Sequence, residues 1–270
     1  MSAQPALPGM TSAAEHEADL RSRGDDPTPR GVVRAVLEAC ERKWMSMDAT
    51  SEVHRTKRAV RVLDVCAGYG CWASEFRRWW EVTRVDRGCA PWPVHITGVE
   101  LDIRKREHLR KWCDHVMSGD WHMACSRPTP GTGPHEYDIA IGNPDFAQLT
   151  HDDPAQSMPA VLLRHAPAVL LLHTQQAFLR SEAGRAAWRL NPPAASWLVP
   201  GGVKFRGASH GTDARCYQVT LWLRGHTGPC AVHLLEDIKA KDRSWTKLPG
   251  AEDAAEAKTL GLPMVGEPTR

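Results

Sequence analysis

A short apolar run that breaks into a small-residue turn constrains this chain most: Arg61-Val62-Leu63-Asp64-Val65-Cys66-Ala67-Gly68-Tyr69-Gly70. Cys71-Trp72-Ala73-Ser74-Glu75-Phe76 follows it with helical spacing. A buried parallel strand feeding a glycine turn and then a helix is the first unit of a doubly wound nucleotide-binding sheet. Glycine suits the turn because its dihedrals are strained for other residues and because a ligand must approach bare backbone. The pattern reads D-x-x-x-G-x-G, without the third glycine and longer spacing of the dinucleotide motif. A strand-turn-helix without a ligand is the plain alternative.

The segments around this turn alternate between strand and helix patterns. Asp26-Pro27-Thr28-Pro29 punctuates the chain ahead of a helix over Arg30–Lys43, with Thr28 as N-cap and Pro29 in the first turn. The first strand is expected over Ala59–Val65 and the first crossover helix over Cys71–Val82. The turn-rich stretch 86–93 reads as an insertion in that crossover. His95-Ile96-Thr97-Gly98-Val99-Glu100-Leu101-Asp102 is a second strand ending in acid. A carboxylate at such an end can accept the ribose hydroxyls of a nucleotide, and Glu100 and Asp102 are the two acids that offer one. A basic helix over Arg104–Cys113, a third strand over His115–Gly119 and the pair Asp120-Trp121 come next, followed by a loop over 122–135.

Tyr137-Asp138-Ile139-Ala140-Ile141 is a strong fourth strand and runs directly into Gly142-Asn143-Pro144-Asp145-Phe146. Beyond it lie a helix over Pro159–His165, an apolar strand over Ala168–His173, a helix through Trp188, a strand and turn over Trp197–Phe205, and an alternating strand over Cys216–Leu223.

Val-Leu-Asp-Val-Cys-Ala-Gly-Tyr-Gly resembles the first cofactor motif of class I S-adenosylmethionine-dependent methyltransferases. Asn-Pro-Asp-Phe resembles the Asn-Pro-Pro-aromatic motif of the amino-methyltransferases, with Asp145 where the second proline would stand. From Pro27 to Gly225, the order of motifs is similar to that of small phage-type DNA adenine-N6 methyltransferases. The resemblance implies an α/β, Rossmann-like class I methyltransferase fold, with a seven-stranded, mostly parallel sheet and helices on both faces. It implies S-adenosyl-L-methionine as cofactor. Thr28, Pro29, Asp64, Cys66, Ala67, Gly68, Tyr69, Gly70, Glu100, Leu101, Asp120, Trp121 and Asn143 would hold it, Asp120 at the adenine amino group and Trp121 beside the ring. Asn143, Pro144, Asp145 and Phe146 would form the catalytic motif. Lys204, Arg206 and His210, in a loop facing the substrate side, would contact phosphates; a solvated hairpin loop is the equal alternative.

The motif's residue types suit one chemistry. An exocyclic amine on a base is a poor nucleophile because its lone pair is delocalised into the ring. The Asn143 side-chain carbonyl and the Pro144 backbone carbonyl would accept both amine hydrogens and localise that lone pair. Proline has no N–H and a fixed φ, which holds its carbonyl in place. Phe146 would stack on a base taken out of the duplex. Asp145 opens either a third acceptor or a different substrate.

Three segments follow from composition: a disordered stretch at 1–26, a catalytic domain over 27–226 and a polar extension over 227–270. A net charge of +2 with 24% charged residues gives no global basic field, so a nucleic-acid surface must be local. No signal peptide or membrane-length apolar run is visible, and a cytoplasmic protein of a bacterial or phage-infected cell is expected, without membrane partners. The eight cysteines include no C-x-x-C pair, which favours free thiols over a disulfide framework and argues against a metal site. DNA is the leading partner; RNA, protein glutamine or a small molecule are the alternative acceptors, and a non-enzymatic binding module retaining the fold is the remaining one.

Overall fold

The computed structural model describes residues 28–44, 58–86, 93–126, 137–200, 203 and 216–235. The expected N-terminal segment 1–26, the substrate residues Lys204, Arg206 and His210, and the end of the chain from 236 lie outside the described residues.

One sheet of eight strands organises the chain, in the order β3-β2-β1-β4-β5-β7-β6-β8. The strands are β1 (Val60–Val65), β2 (Val94–Glu100), β3 (His115–Ser118), β4 (Ile139–Gly142), β5 (Ala168–Thr174), β6 (Ala195–Val199), β7 (Tyr217–Leu223) and β8 (Ala231–Leu234). Pairing is parallel from β3 through β5, and β7 runs antiparallel to both β5 and β6. This is the Rossmann-like, mostly parallel sheet expected from the sequence. It holds the seven strands anticipated and one more. The extra strand, β8, pairs parallel with β6 and carries the sheet past the boundary expected at 226.

Strand β5 shows why the sheet is buried on both faces. Leu170 and Leu172 join one apolar cluster while Val169 and Leu171 join the other, as a period of two requires. The first cluster is roofed by α1 (Arg30–Trp44) and α2 (Cys71–Asp86), which contribute Val33, Leu37, Phe76 and Trp80. The second lies under α5 (Met158–His165) and α6 (Glu182–Leu190), with Leu162, Phe178 and Trp222. Helix α1 is docked on α2 by charge as well: Glu75 on α2 is 1% exposed and pairs with Arg30 and Arg34. Among the described residues, no helix is long and apolar enough to cross a membrane.

The crossover between β2 and β3 differs from the basic helix expected over 104–113. Residues Ile103–Lys105 form a single 3-10 turn, and α3 is one turn, Arg106–Leu109. The Asp102 carboxylate accepts the Arg104 N–H and starts the tight turn. Leu109, Trp112 and Cys113 must then reach the core at once, because Asp114 already donates its N–H to the Ile96 carbonyl. A further short helix, α4 (Trp121–Ser126), occupies the start of the stretch expected to be loop.

A polar network crosses the buried sheet at β5, β7 and β6. His173 is fully buried; its Nδ1 lies 2.8 Å from the Thr174 carbonyl, and its Nε2 lies 2.9 Å from Thr220 Oγ1, which in turn meets Ser196 Oγ at 3.0 Å. A carbonyl accepts only, so Nδ1 carries the proton and Nε2 accepts from Thr220. Burial pulls the imidazole down to about 4 from its ordinary 6.5, with the Thr174 carbonyl acting in the opposite direction. The unfolded chain therefore takes up a proton, as pH falls through 6.5, that the folded chain refuses. This contribution to stability is complete above 6.5 and is lost as pH falls toward about 4. Urea unfolding is expected to show a loss of about 1 kcal/mol between pH 7 and pH 5.5 that is missing from His173→Gln. An identical pH slope in both proteins refutes it.

Candidate cofactor and acceptor site

The chain turns outward in opposite directions from β1: to β2 and β3 on one side, to β4 and β5 on the other. Ligands of open α/β sheets bind at such a switch point, outside the carboxyl ends of the strands. Val65 is level with Gly142 across β1 and β4, so the glycine turn after β1 and the Asn143 motif after β4 leave the sheet side by side. Glu100 ends β2, and Asp120 follows β3.

The turn places left-handed residues at alternate positions. Cys66 has φ 55°, Gly68 φ 56° and Gly70 φ 77°. At Gly70, a Cβ would also come within 3.1 Å of Trp112 Cδ1. Cys66 is the non-glycine member, and an L-residue there costs about 1–2 kcal/mol. Cys66→Gly is accordingly expected to raise unfolding stability by about 1 kcal/mol or less, since glycine also adds freedom to the unfolded chain. A lower urea midpoint for the variant overturns this.

Both oxygens of Glu100 are engaged. Gly68 N–H donates to Oε2 at 2.7 Å, Asp102 N–H to Oε1 at 2.9 Å, and Lys105 Nζ lies 3.6 Å from Oε1. A carboxylate has about four lone-pair positions, and among the described residues the two N–H donors take up two of them. Leu101 and Ile103, just beyond it, are 72% and 65% exposed, an apolar edge beside the acid. Asp64 is fully buried, with Oδ2 accepting from Ala73 N–H at 3.0 Å and Oδ1 making no hydrogen bond among the described residues. Burial holds its carboxyl well above the usual range, against the Ala73 N–H and reinforced by the charge of Glu100. Asp64 thus ties the end of β1 to the start of α2 beneath the turn. Burial, and then the carboxylates of Glu100, Asp64, Asp120 and Asp145, push the Cys66 thiol up to about 12. The site around Cys66 is acidic.

Thr28 and Pro29 are brought to this turn from the other end of the catalytic segment. Both are buried, and Trp72 Nε1 at the start of α2 donates to Thr28 Oγ1 at 3.3 Å. Tyr69 and Ala67 are buried within the turn, Tyr69 edge-on to His108 at 5.7 Å. Asp120 accepts the His122 N–H at 2.8 Å and caps α4. Trp121 is 3% exposed and stands in the core with Leu63, Val65 and Val99, so the structure places it in packing beneath the site.

The acceptor motif is arranged around one orphan. Asn143 Oδ1 is buried and makes no hydrogen bond among the described residues. Pro144 beside it is buried. Asp145 is exposed, and its Oδ1 accepts the Ala147 N–H at 3.1 Å, capping the 3-10 turn Phe146–Gln148. A hydrogen bond thus supplies the stiffness that a second proline ring would give. Phe146 is half-buried, its ring 6.1 Å from that of Tyr217 and tilted 54° to it.

Three contributors went unmarked in the sequence. Lys105 sits in a run of basic residues that looks solvated. Tyr217 belongs to an ordinary alternating strand. Gln148, whose Oε1 is 3.9 Å from Cys66 Sγ, has no pattern to single it out.

No family model and no curated protein matches this chain. Among solved structures, it is similar to the modification subunit of a proposed type I restriction enzyme from Vibrio vulnificus YJ016, at 14% identity, TM-score 0.48, over 94% of this chain and 60% of that one. The EcoKI type I restriction enzyme M protein is similar at 14% identity and TM-score 0.49, over 74% of this chain and 44% of that one. Magnesium protoporphyrin IX methyltransferase from Synechocystis PCC 6803, solved with S-adenosylmethionine bound, is similar at 12% identity and TM-score 0.41, over 81% and 86%. The chain thus spans less than two thirds of the length of either restriction subunit. At these values the likenesses carry no weight for activity, which has to be read from the site itself.

Proposed function

We propose that this chain transfers a methyl group from S-adenosylmethionine to an exocyclic amino group of a nucleic-acid base, N6 of adenine in DNA foremost. The observation that carries the reading is Asn143 Oδ1, a buried acceptor without a partner among the described residues, set next to the glycine turn at the switch point. Burying an amide oxygen unpaired costs about 1–3 kcal/mol, and a donor arriving with the substrate removes that cost. An amine with two hydrogens is such a donor.

The residues present fit the cofactor. Glu100 has acceptor positions left for the ribose hydroxyls, and Leu101 and Ile103 offer an apolar edge to an adenine ring. The carboxylates around Cys66 favour a cationic ligand over a neutral one. Bound there, S-adenosylmethionine supplies an electrophilic methyl on a sulfonium. Asn143 Oδ1 and the Pro144 carbonyl accept the amine hydrogens and turn the nitrogen's lone pair out of the base plane. Phe146 stacks on the base, and the capped turn behind Asp145 keeps that wall in place. Positioning and preset acceptors do the work, with no covalent intermediate on the protein.

The test is nucleoside mass spectrometry of DNA incubated with the protein and S-adenosylmethionine. N6-methyladenine is the expected product. N4-methylcytosine would retain the motif chemistry and move the base. Cofactor binding without any modified base would refute a DNA acceptor and direct the search to RNA, glutamine side chains and small molecules. A protein that binds no S-adenosylmethionine is a module that only retains the fold.

A further inference from the structure

The crossover after β2 carries Arg104, Lys105 and Arg106 in succession and Arg110 a turn later, yet one of them is drawn inward. Arg104 and Arg110 are exposed and pair with the nearby acids Asp102 and Glu107. Lys105 is only 2% exposed. Burying an ammonium group is costly unless a matched anion and further contacts compensate. Its Nζ lies 3.6 Å from Glu100 Oε1 and 5.4 Å from the centre of the Tyr69 ring. Tyr69 stands in the glycine turn between Gly68, whose N–H donates to the other oxygen of Glu100, and Gly70. One side chain therefore touches both walls of the expected adenosyl subsite: the acid that ends β2 and the turn that follows β1.

We propose that Lys105 is a positioning residue for the ribose of the cofactor, an inference that rests on the cofactor reading above. The ammonium and the two N–H groups of Gly68 and Asp102 fix the Glu100 carboxylate from three sides. Its remaining lone pairs then have one direction left to serve, that of the ligand hydroxyls. The cation also offsets one negative charge in an acidic site, so Glu100 stays turned inward instead of swinging to water. Without Lys105 the carboxylate keeps its two backbone donors but loses the contact that sets its attitude. Recognition of the sugar hydroxyls weakens more than recognition of the rest of the ligand.

Calorimetric titration with S-adenosylhomocysteine and with its 2′-deoxy analogue separates these contributions. The native protein is expected to prefer the hydroxylated ligand by about tenfold or more, as for a hydrogen bond to a charged acceptor. In Lys105→Met the preference should fall below about threefold, with the 2′-deoxy ligand bound nearly as well as before. Tyr69→Leu, which frees the ammonium from the ring without removing its charge, should reduce the preference in the same direction and serves if the methionine variant does not fold. An unchanged preference, with both ligands weakened equally, makes the lysine a structural residue and overturns the proposal. If the native protein binds neither ligand, the cofactor reading itself fails and this inference goes with it. If the native protein binds both ligands equally, Glu100 does not read the ribose and the inference alone fails.

Discussion

Asn143→Ala is expected to slow methyl transfer by about 10²-fold or more, while S-adenosylmethionine affinity changes by no more than about threefold and the urea midpoint does not fall. The combination is the point. A side chain that holds the fold together would lower stability when removed. Asn143 Oδ1 makes no hydrogen bond among the described residues, so its removal deletes a cost in the free protein. What is lost appears when a substrate amine must donate a hydrogen bond to that oxygen. Single-turnover methylation beside urea unfolding reads both quantities. Transfer within about threefold of native would show that the orphan oxygen is not the acceptor, and a variant that is inactive because it is unfolded would assign Asn143 to structure.

Gly142→Ala should have the larger effect on the protein itself, a loss of about 3 kcal/mol or more that takes binding and transfer with it. A Cβ on residue 142 would stand 2.2 Å from the Val65 carbonyl oxygen and 3.0 Å from Val65 Cγ2. The φ of 157° at Gly142 is one that L side chains rarely adopt, so backbone strain adds to the lack of space. Val65 cannot retreat, because β1 is hydrogen-bonded on both sides, to β2 and to β4. The methyl group must force the two strands apart at the point where the glycine turn after β1 and the Asn143 segment after β4 emerge together. Circular dichroism melts of native and variant protein check this; equal midpoints would mean that the strands accommodate the group.

The sheet was readable because its strands are long apolar runs and its turns are punctuated. Strands β1, β4, β5 and β7 fall within a residue or two of where their patterns place them. Asn143 stood out for a different reason: it directly follows a strand, in a residue set that the family resemblance ties to an unreactive amine. Physical detail was hidden wherever one residue type serves two purposes. Lys105 sits in a basic run, and its burial depends on Glu100 and Tyr69 arriving from two other segments. Cys66 gives no sign of its positive φ, because the neighbouring glycines take the eye. Asp145 looks like a defect in the motif until its carboxylate is seen capping the turn behind it. The apolar patch Ala231–Leu235 was visible, but four residues of strand are too few to announce themselves without β6 beside them.

That last strand bears on where the folded unit can be cut. Ala231 donates its N–H to the Ala194 carbonyl and Leu235 to that of Leu198, while the His233 ring stacks on Trp197. A chain shortened to 226 would turn β6 into a bare rim, with unpaired carbonyls and an uncovered tryptophan, the kind of surface on which sheets of separate molecules fuse. Colloidal behaviour, read by light scattering over hours, should therefore divide shortened chains into two classes. Those retaining Leu235 should remain dispersed, and those ending before Ala231 should cluster.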